Sequence, residues 1–226
     1  MKALVLLSGG VDSSTCLALA KEKYKDVVAL ALYYGQKHSK ELAAAEKIAA
    51  HYNVQLLKLD LTPVFAFSNC SLLKQSTEEI PQKSYAEQLE SRHGEAVTTY
   101  VPFRNGVFLS VAASIALEQN CSVVYYGAHA DDAAGSAYPD CSSDFNNKMN
   151  EGIYTGSGRK VQLVAPFVKK TKKDIVALGL QLGVPYELTW SCYCGGEKPC
   201  GKCGTCIDRK AAFAANGASD PLEYEE

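Results

Sequence analysis

An open α/β sheet of parallel strands is the fold this sequence predicts, and three observations predict it. Short apolar runs alternate with helical stretches through residues 2–59. A Gly-Gly turn joins the first apolar run to the first helical stretch, where such sheets place their ligands. Of nine cysteines, five crowd between positions 192 and 206, which marks a small element set apart from the sheet.

Residues 2–7 are apolar enough for a buried strand. Residues 12–24 have helical composition, with Asp12 or Ser13 expected as the cap. Residues 27–33 read as a second buried strand, 39–52 as a helix rich in Ala, Glu, Lys and Leu, and 54–59 as a third strand. That order argues for a parallel sheet with helices on both faces. Residues 76–95 are polar and lack periodicity, so they are expected to form a long loop or lid. Further on, 105–118 reads as a helix, 122–126 as a fourth strand, 129–140 as a loop, 145–154 as a helix and 161–165 as a fifth strand. A short helix over 172–182 ends at Gly183, and a last helix near 207–215 precedes an acidic tail. No repeat or low-complexity segment interrupts this pattern. The expected organisation is one α/β domain over 1–185 and a cysteine-rich element over 186–226.

With 226 residues, 47% hydrophobic and 21% charged, the chain is long enough for one sizeable core. Its net charge of −2 implies no strongly basic surface, so no stable nucleic-acid partner is expected. The N-terminal apolar run is too short for a signal peptide, and no stretch has membrane length. An odd, clustered set of cysteines suits a metal site in a reducing cytoplasm better than a secreted disulfide framework.

Ser8-Gly9-Gly10-Val11-Asp12-Ser13-Ser14 carries the chemistry. Two glycines allow a tight turn whose amides approach phosphate oxygens, and the helix start adds positive potential. The hydroxyls of Ser8, Ser13 and Ser14 add donors. Asp12 repels phosphate, so its use is to organise the loop or to hold magnesium against the phosphates. A capped glycine turn is the plain alternative for any Gly-Gly pair, but the full string at the first strand–helix junction is far more specific. No Gly-x-x-x-x-Gly-Lys-Ser/Thr string is present, which excludes a Walker-type kinase or GTPase.

The string resembles the pyrophosphate loop of the N-type ATP pyrophosphatases, the PP-loop superfamily. The resemblance implies a Rossmann-like, adenine nucleotide alpha hydrolase-like sheet and cleavage of ATP to AMP and pyrophosphate through an adenylated substrate. It also implies an ATP site running from the strand end through the first helical turns: Leu7, Ser8, Gly9, Gly10, Val11, Asp12, Ser13, Ser14, Thr15, Cys16 and Leu17.

Cys200, Cys203 and Cys206 are separated by two-residue gaps, with Cys192 and Cys194 just upstream as candidates for a fourth ligand. Four thiolates make a closed tetrahedral site, so one structural zinc per chain is expected. No nearby His or Glu suggests a catalytic zinc with an open position. An iron–sulfur cluster is the competing occupant, because cysteine spacing alone does not separate the two.

Across residues 7–209 the chain resembles the 7-cyano-7-deazaguanine synthases of queuosine biosynthesis, the QueC family. The matching stretches are Leu7–Ser14, Val101-Pro-Phe-Arg104-Asn105, Tyr138-Pro-Asp140-Cys141, Pro166 with Lys172, and Ser191-Cys192-Tyr193 followed by Cys200, Cys203 and Cys206. The resemblance implies zinc ligation by Cys192, Cys200, Cys203 and Cys206, with Cys194 as the second choice for the fourth ligand. Cys194 stands where the family often has asparagine, the Cys192–Cys200 interval is one residue short, and the His129–Ala137 loop is longer than in some members. Phe103 replaces a common glycine.

The implied reaction converts 7-carboxy-7-deazaguanine, ammonia and ATP with magnesium into 7-cyano-7-deazaguanine, through an adenylated carboxylate and then an adenylated amide. A homodimer is implied as well. Such a reaction needs cations near the pyrophosphate, and Lys172 and Arg104, each at a helix start, are the catalytic candidates. Asp131, Asp132 and Asp140 are candidates for the base edge or the metal, against the plainer role of capping turns. Tyr138 and Phe103 are candidates for stacking on the heterocycle. Cys16, Cys70, Cys121 and Cys141 read as packed thiols. His38, His51, His93 and His129 are too scattered to suggest a dyad. The rival reading is a tRNA-thiolating PP-loop enzyme that uses its cysteines for an iron–sulfur centre or for sulfur transfer. The net charge and the short chain speak against it.

Overall fold

The apolar run at the N-terminus becomes β1 (Lys2–Leu6), which feeds through the glycine turn into α1 (Val11–Lys23). Next come β2 (Asp26–Tyr33), α2 (Lys40–His51) and β3 (Gln55–Asp60). The computed structural model describes residues 1–91 and 96–225. Beyond β3 lie α3 (Tyr85–Ser91), α4 (Arg104–Glu118), β4 (Val123–Tyr125), the single turn α5 (Ala130–Ala133) and α6 (Ser143–Gly156). β5 (Gln162–Val164), α7 (Lys172–Gln181) and α8 (Gly204–Ala214) complete the chain.

The five strands are all parallel, in the order β3-β2-β1-β4-β5. β1 is therefore central and apolar on both sides. Ala3 and Val5 face a core shared with α1, α2, α7 and α8, while Leu4 faces a second core under α4 and α6. Chain order reverses between β1 and β4, so the carboxyl ends of these two strands frame the crevice where such sheets bind ligands.

The expected elements are present with small shifts at their ends, and two expectations need correction. Residues 76–95 are not loop throughout, because Tyr85–Ser91 is helical. Ser84 and Glu87 form a reciprocal cap there: the Ser84 N–H donates to the Glu87 carboxylate (2.8 Å), and the Glu87 N–H donates to Ser84 Oγ (3.3 Å). The end of that expected loop, with His93, lies outside the described residues. Residues 129–140 likewise contain α5 and two 3₁₀ turns. Among the described residues no helix is long and apolar enough to cross a membrane.

The cysteine-rich segment packs directly on the sheet domain. Ala212 and Phe213 of α8 and Tyr186 join the core around α1 and α7. Arg209, 1% exposed, pairs with Asp220 and donates to Thr189 Oγ1 and the Tyr186 carbonyl. The Tyr186 hydroxyl in turn shares a hydrogen bond with Thr15 Oγ1 of α1 (2.8 Å).

Candidate active site

A cavity opens over the carboxyl ends of β1, β2 and β4, and its wall has a polar and an apolar part. Ser8, Gly10, Asp12, Ser13, His129, Asp132, Lys172 and Asp208 line the polar part. Leu30, Leu32, Tyr34, Phe108, Tyr85 and Tyr193 supply apolar and aromatic wall, together with the polar groups of Gln36, Glu41 and Arg104.

The glycine loop is shaped by contacts that only glycine permits. Gly9 has φ +85°, and a Cβ there would stand 2.4 Å from the Glu41 carbonyl oxygen and 2.5 Å from the Ala45 nitrogen. The loop is thereby pressed against α2. Gly127, at the end of β4, lies so near the start of α1 that a Cβ would sit 3.2 Å from Asp12 atoms. Serine hydroxyls hold the turn from inside. The Ser8 N–H donates to Ser13 Oγ (3.2 Å), and the two hydroxyls lie 3.0 Å apart.

The expected cap by Asp12 or Ser13 is not made. Gly10 is the N-cap and no side chain caps α1, because Asp12 turns to Lys172 and Ser13 to Ser8. A helix start without a side-chain cap is suited to an anion. Within the expected ATP stretch, Leu7, Ser8, Gly10, Asp12 and Ser13 reach the cavity wall. Val11, Ser14, Thr15, Cys16 and Leu17 are buried on α1 behind it, and Gly9 is buried against α2.

Lys172 and Asp12 meet although 160 positions separate them in sequence: Lys172 Nζ donates to Asp12 Oδ2 at 2.5 Å. A capping box of Thr171 and Asp174 fixes the start of α7. The Lys172 N–H donates to Asp131 (2.7 Å), so Asp131 orients the lysine. His129, 3% exposed, accepts the Asp132 N–H at Nδ1, and its Nε2 lies 3.3 Å from Asp132 and 3.8 Å from Asp12. The histidine that looked isolated in sequence thus belongs to this carboxylate group. Burial pushes the Asp12 carboxyl up, but Lys172 and His129 together outweigh burial and hold it below its usual value.

Arg104 stands on the same cavity wall but touches different groups. Its guanidinium donates to the Tyr34 hydroxyl (3.2 Å) and lies over the Tyr34 and Phe108 rings. Asp140 accepts the Asn105 N–H at 2.8 Å and so caps the first turn of α4. Tyr138 is buried, with its hydroxyl 2.6 Å from Thr99 Oγ1, and Phe103 is more than half exposed against Phe145. Neither aromatic lines the cavity; Tyr34, Phe108, Tyr85 and Tyr193 do.

Glu41 and Gln36 are polar residues of the cavity that sequence reasoning missed. The available signal was position, since both follow the carboxyl end of β2. Burial pushes the Glu41 carboxyl up to about 7, with Arg104 and Gln36 pulling the other way.

Beyond the cavity wall, the sulfurs of Cys192, Cys200, Cys203 and Cys206 lie within 4.8 Å of one another, all buried. Four sulfurs at about 2.3 Å from a tetrahedral zinc stand a little under 4 Å apart, so this donor set fits one metal ion. Backbone N–H groups point at the sulfurs, from Cys194 and Cys200 to Cys192 Sγ and from Lys202 and Cys203 to Cys200 Sγ. Such donors favour thiolates. Cys194 is exposed and outside the group.

The parallel sheet, with a Ser-Gly-Gly-x-Asp-Ser turn at its switch point and Lys172 held on Asp12 of that turn, has a Rossmann-like, adenine nucleotide alpha hydrolase-like fold. The chain belongs to the QueC family: the model described as "Queuosine biosynthesis protein QueC" matches residues 2–217. It is 46% identical to the 7-cyano-7-deazaguanine synthase of Archaeoglobus fulgidus, over 100% of this chain and 91% of that protein. With the proteins of the same name from Caldicellulosiruptor saccharolyticus and Thermoplasma acidophilum the identities are 43% and 42%, over 100% of this chain and 96% and 92% of theirs. Among solved structures it is similar in fold to the U34-tRNA thiolase NcsA of Methanococcus maripaludis with its [4Fe-4S] cluster, with a TM-score of 0.53 and 17% identity over 96% of this chain and 67% of that one. It is also similar to the NMN synthetase of Francisella tularensis, with a TM-score of 0.50 and 18% identity over 84% and 65% of the two chains.

Proposed function

We propose that the chain converts 7-carboxy-7-deazaguanine, ammonia and two ATP into 7-cyano-7-deazaguanine. The observation that carries this reading is the pairing of Lys172 with Asp12 of the glycine loop, inside one cavity with aromatic walls, in a chain of the QueC family. In the first round the substrate carboxylate attacks the α-phosphorus of ATP and pyrophosphate leaves. Ammonia then adds to the acyl carbon, AMP leaves, and a proton is released with formation of the amide. In the second round the amide oxygen takes the adenylyl group with loss of a second pyrophosphate. Departure of AMP and a proton leaves the nitrile.

In this reading the loop amides and the Ser8 and Ser13 hydroxyls bind phosphate oxygens. Lys172 neutralises charge on the departing pyrophosphate, and Arg104 supplies the second cation of the pocket. Magnesium entering with ATP neutralises phosphate charge. Asp12 fits it as a ligand, because its Oδ1 is buried with no partner among the described residues. Cys192, Cys200, Cys203 and Cys206 hold zinc, whose chemistry is to lock the turn that carries Trp190–Tyr193 onto the cavity. We place the enzyme in the cytoplasm, where its free thiols stay reduced, as a homodimer.

The tRNA-thiolase reading has fold similarity alone behind it, at 17% identity. Incubation with ATP, magnesium, ammonia and 7-carboxy-7-deazaguanine tests the proposal. Two AMP and two pyrophosphate per nitrile are expected, and absence of AMP and nitrile from zinc-loaded protein would overturn it.

A further inference from the structure

The cavity holds a carboxylate that the adenylation chemistry does not use. Glu41, in the first turn of α2, lines the wall beside Leu30, Leu32 and Tyr34. Its neighbour Gln36 is 8% exposed and fixed in orientation. Gln36 Oε1 accepts the Tyr34 N–H at 2.9 Å, which leaves its amide NH₂ as the group that donates to Glu41. An ionised carboxylate has about four lone-pair positions. The Gln36 amide takes one, Arg104 is near enough to favour the charged form, and Glu41 lines a cavity flanked by apolar and aromatic side chains.

Two parallel N–H donors on a flat ring satisfy such a carboxylate. A 2-amino-4-oxopyrimidine edge presents that pair, one from the ring nitrogen and one from the exocyclic amine. An adenine edge presents one donor beside one acceptor and mismatches it. A ribose diol also presents two donors, but aliphatic and aromatic walls suit a planar heterocycle better than a sugar. We infer that Glu41, held by Gln36, is the specificity residue that reads the 2-amino and ring N–H edge of the deazaguanine substrate. This inference rests on the reaction proposed above. Burial without a ligand disfavours the charged form of Glu41, and a bidentate donor pair restores what water supplied.

Two measurements test it. On the unaltered, zinc-loaded enzyme, removing the 2-amino group from 7-carboxy-7-deazaguanine should weaken binding at least about a hundredfold, because a site built to hydrogen-bond a group rejects the analogue lacking it. In Glu41→Gln, one acceptor oxygen becomes a donor amide. The KM for 7-carboxy-7-deazaguanine should rise at least about tenfold and discrimination against the analogue should shrink, while the KM for ATP stays within about threefold. Equal binding of analogue and substrate to the unaltered enzyme overturns the inference without any variant. A KM rise confined to ATP also overturns it and assigns Glu41 to the nucleotide. Failure of the unaltered enzyme to make nitrile at all is a different outcome, and it refutes the reaction rather than the residue.

Discussion

At the scale of single residues, chemistry was legible where it is local in sequence and hidden where it is not. The glycine loop announces itself because a tight turn, hydroxyl donors and a helix start lie within seven consecutive positions. Glu41 and His129 gave no such sign, since the cavity they line and the distant groups near them there, Arg104 and Asp12, are brought by other elements. Lys172 shows both sides, being readable as a helix-start cation but tied to Asp12 only by the fold. Removing it as Lys172→Met should lower kcat/KM for AMP formation by about 10²–10³-fold and also lower the melting temperature, because Asp12 loses the cation that offsets its burial, and Lys172→Arg should restore part of both. Comparable activity in Lys172→Met would remove the lysine from the mechanism.

Glu41 also makes a pH prediction for the ligand-free protein. Its folded value, about 7, is raised above the ordinary 4.5, so the folded state binds more protons than the unfolded state between those values. The charged form therefore costs stability above pH 7, and the cost fades as pH falls toward 4.5. Because Glu41 keeps partial access to the open cavity, we expect Glu41→Gln to gain about 1–2 kcal/mol at pH 8 and nothing near pH 4.5. Denaturant melts of both proteins at the two pH values measure this difference, and a constant difference would contradict it.

At the scale of elements, the strands and long helices were legible from their apolar patterns, and α3 was not. Its seven residues offer too little periodicity, with Tyr85 and Leu89 its packed apolar side chains. The sign that was present is the Ser84-x-x-Glu87 box, a cap without an apolar run behind it. The cysteine element was legible as a cluster able to hold a metal ion, but its fourth member was open between Cys192 and Cys194. Burial and sulfur geometry favour Cys192. Metal analysis should find one zinc per chain in the unaltered protein and in Cys194→Ser. Cys192→Ser should lose most of it, and its melting temperature should fall by about 10 °C or more. Retention of metal by Cys192→Ser with loss from Cys194→Ser would reverse the assignment.

At the scale of the whole molecule, the cysteine element and the glycine loop form one mechanical unit, and this could not be read from sequence because its links are long-range. From α8, Arg209 grips Asp220 through two hydrogen bonds and reaches Thr189 Oγ1 and the Tyr186 carbonyl. Trp190, next in the chain, donates its N–H to the Gly9 carbonyl (2.9 Å), so the glycine loop hangs from the same strap. Both members of the ion pair are buried, at 1% and 6% side-chain exposure. Arg209→Met leaves the Asp220 carboxylate without its counter-charge, with only the Tyr224 hydroxyl and the Leu222 N–H still donating to it, and should cost about 3 kcal/mol, or roughly 10 °C in melting temperature for a chain of this size. Asp220→Leu alone should cost a similar amount for the mirrored reason. The double variant should be less destabilised than the sum of the two, because an apolar pair needs no counter-charge. ATP affinity should fall in Arg209→Met and recover in part in the double variant, since the strap rather than the charge supports the loop. Additive losses in the double variant, with ATP affinity unchanged throughout, would show that the two regions are not coupled.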